Sequence, residues 1–212
     1  VVFVAQPYFE DGMVAQTVAQ TVASSVTYIS TAGNFAQGHY EADFVENVDF
    51  TGISIHDFGV AAGGAGDVFD SVGNATDGWV VPPGECVTVT LQWNDPWGAS
   101  SNDYDVLIFD FEQNLLNAPG AGQVVQDGDD NPQEAAEYCN QSAVPVSTSI
   151  VVQKLSGQGR RIEMFVQSTD AADSIPHHEH TVVAGSIIGH QAIRGVLTVA
   201  GVRDDEYGLQ QV

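Results

Sequence analysis

The strongest constraint on the fold is a change of sequence pattern near residue 35. Between residues 35 and 188, apolar residues occur in short alternating or continuous runs without helical periodicity. The clearest runs are DFTGISIHDF, CVTVTLQW, DYDVLIFDF, STSIVVQKL and RRIEMFVQS. Segments rich in Gly, Pro, Asn and Asp separate them, among them GGAGD, PPGE and DGDDNP. We therefore expect a mostly β protein in which this part forms an antiparallel β-sandwich or jelly roll.

The first 34 residues follow a different pattern. VVFVA is a continuous apolar run, which is typical of a strand buried on both faces. In MVAQTVAQTVASS, the residues Val14, Val18 and Val22 recur at a spacing of four, which predicts a helix with one apolar stripe. VTYIS then predicts a second strand. Strand, helix and strand in this order predict a parallel, right-handed βαβ unit.

The end of the chain returns to this first pattern, because VLTVAGV is again a continuous apolar run. We therefore divide the chain into three parts: residues 1–34, a partial α/β segment; residues 35–188, an inserted β-sandwich domain; and residues 189–212, a returning α/β segment. Long insertions at strand ends cost the host fold little free energy.

The charge of the chain is strongly negative. It has 28 acidic residues against five Lys and Arg, a net charge of −23. Such a charge repels nucleic acid and anionic lipid, so we expect neither as a partner. The chain contains no run of 18 apolar residues, so the sequence predicts no membrane span. Its first residues lack the basic segment and the cleavage site of a signal peptide. The carboxylates serve solubility or, alternatively, bind cations.

Cys86 and Cys139 are the two cysteines, and their spacing matches no zinc motif. In an acidic, lysine-poor chain that we expect to be exported, one disulfide is the simplest prediction. Two buried free thiols are the alternative.

Thr31, Ala32, Gly33 and Asn34 follow the second predicted strand. In parallel α/β sheets, sites form beyond the carboxyl ends of the strands. The Asn34 amide is a donor suited to an oxyanion that develops in a transition state, and Gly33 permits close backbone approach or a positive φ. Taken alone, the same residues also fit an ordinary Gly-Asn turn.

Three segments resemble subtilisin-like serine peptidases. The segment from PYFEDG to AGNFAQGHYE resembles the helix and strand that lead those enzymes into S-A-G-N or A-A-G-N, the oxyanion-hole asparagine segment. GHQAIRGVLTVAGV is similar to their later P-G-A-I-T-V-G-A strand, although Arg194 and Gly195 depart from that order. LQWNDPWGASSNDYDVLIFD resembles the pre-peptidase-like β module that is inserted into large subtilases, with its Trp-Asx-Asp-Pro turn.

The resemblance implies a secreted serine endopeptidase that acts on protein or peptide substrates, with Asn34 in the oxyanion hole and Ala32 and Gly33 beside the substrate. The family's D-S/T-G, H-G-T-H and G-T-S-x-A motifs do not occur here, so the catalytic triad is missing. We therefore expect an internal region of a longer peptidase, inactive by itself and dependent on the remainder of that chain. The insert would border the cleft or bind substrate. Exposed strand edges would favour self-association.

Two acidic turns are candidate calcium sites, because carboxylates are the oxygen ligands that calcium prefers. The candidate ligands are Asp95, Asp103, Asp105, Asp127, Asp129 and Asp130. Neither turn fits the EF-hand loop, and Asx side chains that bond to their own backbone are the alternative.

Two further patterns contain residues that could bind a metal or a carbohydrate. In PHHEHT, His178 and His180 would share a face of an extended segment, but zinc would need further ligands, and an exposed polar loop is the alternative. Trp79, Trp93 and Trp97 predict either a carbohydrate-stacking platform or core anchors. The alternative to a peptidase region is therefore a non-catalytic β-sandwich module that binds calcium or carbohydrate.

Overall fold

The computed structural model describes residues 5–48, 52–73, 80–168 and 177–201. The chain divides into two compact units. The first contains Val1–Pro7, Asp11–Asn34 and Ile187–Val212, and the second contains Tyr8–Glu10 and Phe35–Ser186. The predicted mostly β fold is confirmed. The predicted strand VVFVA lies, apart from Ala5, outside the described residues.

Most of the described elements are short strands. They are β1 (Ile29–Thr31), β2 (His39–Asp43), β3 (Glu46–Val48), β4 (Ser54–His56), β5 (Asp70–Gly73), β6 (Val80–Val81), β7 (Cys86–Trp93), β8 (Asp103–Asp110), β9 (Gln133–Cys139), β10 (Val146–Ser156), β11 (Arg161–Ser168), β12 (His177–His178) and β13 (Leu197–Val199). The helices are α1 (Met13–Ala23) and α2 (Phe58–Ala61), and single 3₁₀ turns occur at Ala36–Gly38 and Gly189–Gln191. None of the described helices is long and apolar enough to cross a membrane.

The first unit combines one helix with two parallel strands. Helix α1 forms where the valine spacing predicts it and buries Ala15 and Val18 on one face. Strand β1 pairs in parallel with β13, with Ile29 opposite Leu197 and Thr31 opposite Val199. The two strands are far apart in the sequence, so the chain leaves this sheet after β1 and returns to it through β13.

The second unit is an antiparallel sandwich. One sheet has the order β2-β11-β7-β9. In the other sheet, β10 is the central strand: β8 pairs with it, as do β4, β5 and β6, and β3 and β12 extend the sheet. Trp93 and Met164 from the first sheet and Tyr104 and Ile150 from the second belong to one fully buried core. This core holds the two sheets together, because its members lose nearly all their contact with water.

The predicted disulfide is confirmed. Cys86 opens β7 and Cys139 closes β9, the two residues lie opposite each other in the antiparallel register, and their sulfur atoms are bonded. The bridge therefore encloses β7, β8, β9 and the acidic turns between Cys86 and Cys139.

Candidate functional site

The exposed end of β1 carries the predicted oxyanion residues. Ala32 N–H donates to the Val199 carbonyl over 2.9 Å, which continues the parallel pairing by one residue. Gly33 has φ 78°, a left-handed conformation that turns the chain away from the sheet and favours glycine. Asn34 follows and is exposed, and no described residue forms a hydrogen bond with its side chain. The amide is thus free to donate to a group beyond the carboxyl end of β1.

The sheet that presents Asn34 exposes apolar side chains. Ile29 is 62% exposed, and its paired residue Leu197 is 56% exposed. Because both side chains are exposed, they form an apolar surface on the first unit. Parallel strands are normally covered on both faces by other elements of their fold, so this exposure is unusual.

The predicted calcium ligand Asp95 is bonded to protein donors. It is buried and accepts hydrogen bonds from the side-chain amide and backbone of Asn102 and from Ser100 Oγ, while Arg160 Nε lies 2.7 Å from its Oδ1. Trp93 Nε1 donates in turn to Ser100 Oγ over 3.0 Å. Burial would raise the pKa of Asp95, but the hydrogen bonds and the Arg160 charge together lower it. Asp95 therefore anchors the turn between β7 and β8.

Asp103 and Asp105 lie on one side of β8, and both are almost fully buried. Burial and the charge of Asp103 raise the pKa of Asp105 to about 6. Asp105 Oδ1 and the nearby buried Gln126 Oε1 have no hydrogen-bond partner. The two aspartates therefore occupy an acceptor-rich environment that favours their protonated form.

Glu134 belongs to the same buried polar group, and sequence reasoning missed it. It accepts hydrogen bonds from Gln126 Nε2 over 2.7 Å and from the Val124 backbone over 2.9 Å. Burial, together with the charges of Asp105 and Asp103, raises its pKa to about 7. It lies two residues before the buried Ala136 and so faces the same side of β9, but QEAAEYC has no period-2 apolar pattern that would have predicted this from the sequence.

The second acidic turn brings three of the predicted ligands together. The carboxylate oxygens of Asp127, Asp129 and Asp130 lie within 4.8 Å of one another. The hydrogen bond with Asp129 and the charges of Asp129 and Asp130 raise the pKa of Asp127, because the neighbouring negative charges repel its ionised form. A calcium ion would offset this repulsion.

The PHHEHT segment lies partly in the interior, so the expectation of an exposed loop is wrong for His178. Its side chain is fully buried, and its Nδ1 lies 2.7 Å from Oδ2 of the equally buried Asp70. His180 is mostly buried and Glu179 is exposed. One oxygen each of Asp67 and Glu179 and one ring nitrogen of His180 lie within 4.8 Å of one another. Together with the Asp127 group, this is one of two clusters among the described residues that could hold a metal ion. Sequence reasoning missed Asp67.

The predicted carbohydrate-stacking platform cannot include Trp93. Trp93 is fully buried in the sandwich core, so it cannot stack on a carbohydrate. Trp97 is half-buried, and Trp79 lies outside the described residues.

No protein-family model matches the chain, and no curated protein matches it in sequence. A functional assignment therefore depends on the local geometry and on the motifs in the sequence.

Proposed function

We propose that the chain is an internal region of a secreted subtilisin-like serine endopeptidase and that Asn34 is its oxyanion donor. The observation that carries this proposal is the exposed amide of Asn34, which has no hydrogen-bond partner among the described residues and lies three residues after the end of β1, a strand in a parallel pair. In acyl transfer, the attacked carbonyl oxygen becomes negatively charged in the tetrahedral intermediate. A fixed amide donor stabilises that charge more than it stabilises the ground-state carbonyl.

The exposed apolar side chains of β1 and β13 support the same assignment. Ile29 and Leu197 lie on a sheet that has two strands within the described ranges. Parallel sheets of this kind are usually larger and covered by helices. In our proposal, the remainder of the peptidase chain supplies the missing strands together with the catalytic Asp, His and Ser.

The β-sandwich follows Asn34 immediately, since the second unit begins again at Phe35. In our proposal, this sandwich borders the substrate cleft and restricts access to it or binds part of a protein substrate. Its acidic character favours substrates that carry positive charge.

The test is turnover of a peptide ester by the full-length protein that contains this chain. The Asn34→Ala variant is expected to lose about 10²–10³ in kcat with little change in KM, the magnitude known for loss of this donor in subtilisin. Asn94→Ala, which removes another exposed asparagine, is the matched control and should retain turnover. Full activity of Asn34→Ala would contradict the proposal. So would hydrolysis by the isolated chain that a serine-directed inhibitor abolishes.

A second candidate function is a calcium-binding β-sandwich module without a catalytic role. The carboxylate group of Asp127, Asp129 and Asp130 favours it. Calorimetric titration with Ca²⁺ should then give heat that Asp129→Asn removes, while Asn34→Ala leaves the function of the full-length protein unchanged.

A further inference from the structure

A mixed group of one imidazole and two carboxylates belongs to the second unit, whereas the proposed oxyanion residues belong to the first. His180 Nε2 lies 3.5 Å from Asp67 Oδ2, and a carboxylate oxygen of Glu179 completes a set whose members lie within 4.8 Å of one another. His180 Nε2 is inaccessible to water and has no hydrogen-bond partner. Burying a ring nitrogen without a hydrogen-bond partner destabilises the folded state, and a ligand bound to that nitrogen would offset the cost.

The separation of the His180 and Asp67 atoms fits two ligands of one ion. Zinc binds imidazole nitrogen and carboxylate oxygen at about 2.0–2.2 Å, and two ligands at a tetrahedral angle are then roughly 3.4 Å apart. The observed 3.5 Å is close to that spacing and is long for a hydrogen bond.

The backbone around the three residues is fixed by two buried carboxylates. Asp70 Oδ1 accepts the His180 backbone N–H over 3.1 Å, and Asp57 Oδ1 accepts the Asp67 backbone N–H over 2.9 Å. The His180 ring stacks on Phe58 with an angle of 16° between the planes, which limits its rotation. A site built in this way needs little reorganisation to bind an ion.

The Asp67 carboxylate is oriented as well. Its Oδ1 accepts the Phe69 backbone N–H over 3.1 Å, which leaves Oδ2 on the side of His180. Glu179 and His180 also line a cavity of about 210 Å³ together with Tyr40 and Thr181. A cavity of this volume is large enough to hold water molecules beside Glu179 and His180.

We propose that Asp67, Glu179 and His180 bind one divalent transition-metal ion of the zinc class, with water as the remaining ligand. The imidazole ligand favours zinc, cobalt or nickel over calcium and magnesium, which prefer oxygen alone. Two carboxylates neutralise the double positive charge of the ion. This site is independent of Asn34 and of the peptidase assignment.

The test is calorimetric titration of the EDTA-treated whole chain with Zn²⁺, with Co²⁺ absorption as a second readout. We expect one ion per chain and a tetrahedral Co²⁺ spectrum. Glu179→Gln and His180→Asn should each weaken Zn²⁺ binding by at least about tenfold, since even supporting residues around a metal contribute that much. Asp129→Asn, which alters the other acidic group, is the matched control and should bind as the wild type does.

Absence of Zn²⁺ binding by the wild type would overturn the proposal, as would unchanged affinity in either ligand variant that folds. Glu179 is exposed, so Glu179→Gln should fold normally, and its Zn²⁺ affinity tests the proposal even if His180→Asn does not fold. Circular dichroism checks the fold of each variant. Displacement of Co²⁺ by an equal concentration of Ca²⁺ would overturn the assignment to the zinc class.

Discussion

Gln126 Nε2 donates a hydrogen bond to Glu134 Oε1 over 2.7 Å, and both side chains are almost fully buried. The amide partly compensates the carboxylate of Glu134 for its loss of hydration. The pKa of Glu134 is nevertheless raised to about 7, mainly by burial and further by the charges of Asp105 and Asp103. The folded state therefore holds a proton on Glu134 that the unfolded chain releases at lower pH.

The first prediction concerns Glu134→Gln. The pKa of Glu134 is higher in the folded state than in the unfolded state, so the contribution of Glu134 to the free energy of unfolding falls as the pH rises from about 4 to about 7. Above that range Glu134 is ionised in both states, and the full cost of burying its charge lowers the stability. Glutamine keeps the acceptor for Gln126 and Val124 without a charge. We expect the variant to exceed the wild type in stability by on the order of 2–3 kcal/mol at about pH 8, with little difference near pH 4.

Urea denaturation in EDTA at both pH values measures this difference. Glu137→Gln, at an exposed position of the same strand, is the matched control and should change stability little at either pH. A Glu134→Gln variant that is less stable than the wild type at about pH 8 would contradict the interpretation.

The second prediction concerns Asp95, the buried acceptor for Asn102 and Ser100 and the neighbour of Arg160. Asp95→Ala should lower the free energy of unfolding by about 3 kcal/mol or more, because it leaves buried donors and one cation without a partner. Asp129→Ala, at an exposed acidic position, should change it little. Urea denaturation measures both values, and similar stabilities of the two variants would contradict the role of Asp95.

The third prediction concerns the Cys86–Cys139 bridge, which joins residues 53 apart in sequence. The double variant Cys86→Ser and Cys139→Ser should lose about 4 kcal/mol, since an unbridged loop of this length gains that much chain entropy on unfolding. Guanidinium denaturation measures the loss. Reductant should destabilise the wild type and leave the double variant unchanged, and an effect on both would indicate a cause other than the bridge.

The sequence predicted the longer elements because their signals are local. Helix α1 has a valine stripe, and β7, β8, β10 and β11 have alternating or apolar runs between turn residues. Strand β9 was missed because QEAAEYC places the acidic Glu134 at an inward position, where a period-2 pattern requires an apolar residue. Strands of two or three residues, such as β6 and β12, are too short to have a pattern.

The candidate sites depend on contacts that no local pattern records. Asp67 meets Glu179 and His180 because β12 pairs with β5, a register that places His178 opposite Val72. These residues are more than 100 positions apart in sequence. The acidic turn at Asp127 was predictable because all its carboxylates belong to one segment. The position of Asn34 beyond the end of β1 was predictable for the same reason, since it lies three residues after that strand in one segment.

The last prediction concerns the protonation of His56. The Val45 backbone N–H donates to His56 Nδ1 over 3.0 Å, so Nε2 carries the proton and donates to Tyr40 Oη over 2.6 Å. Burial is the main cause that lowers the pKa of His56 to about 4, with a smaller effect from His180. Between about pH 4 and pH 6.5 the unfolded chain binds the additional proton, so this group makes stability rise with pH.

Because Glu134 gives the opposite slope over much of the same range, a stability profile of the wild type would show only their sum. NMR of the His56 ring nitrogens separates the two groups. We expect Nδ1 to remain an unprotonated acceptor down to about pH 5 and to titrate near pH 4. The control is the same chain unfolded in urea, where histidine should titrate near its ordinary value of about 6.5. A midpoint near 6.5 in the folded chain would show that His56 is solvated and not bonded to Val45.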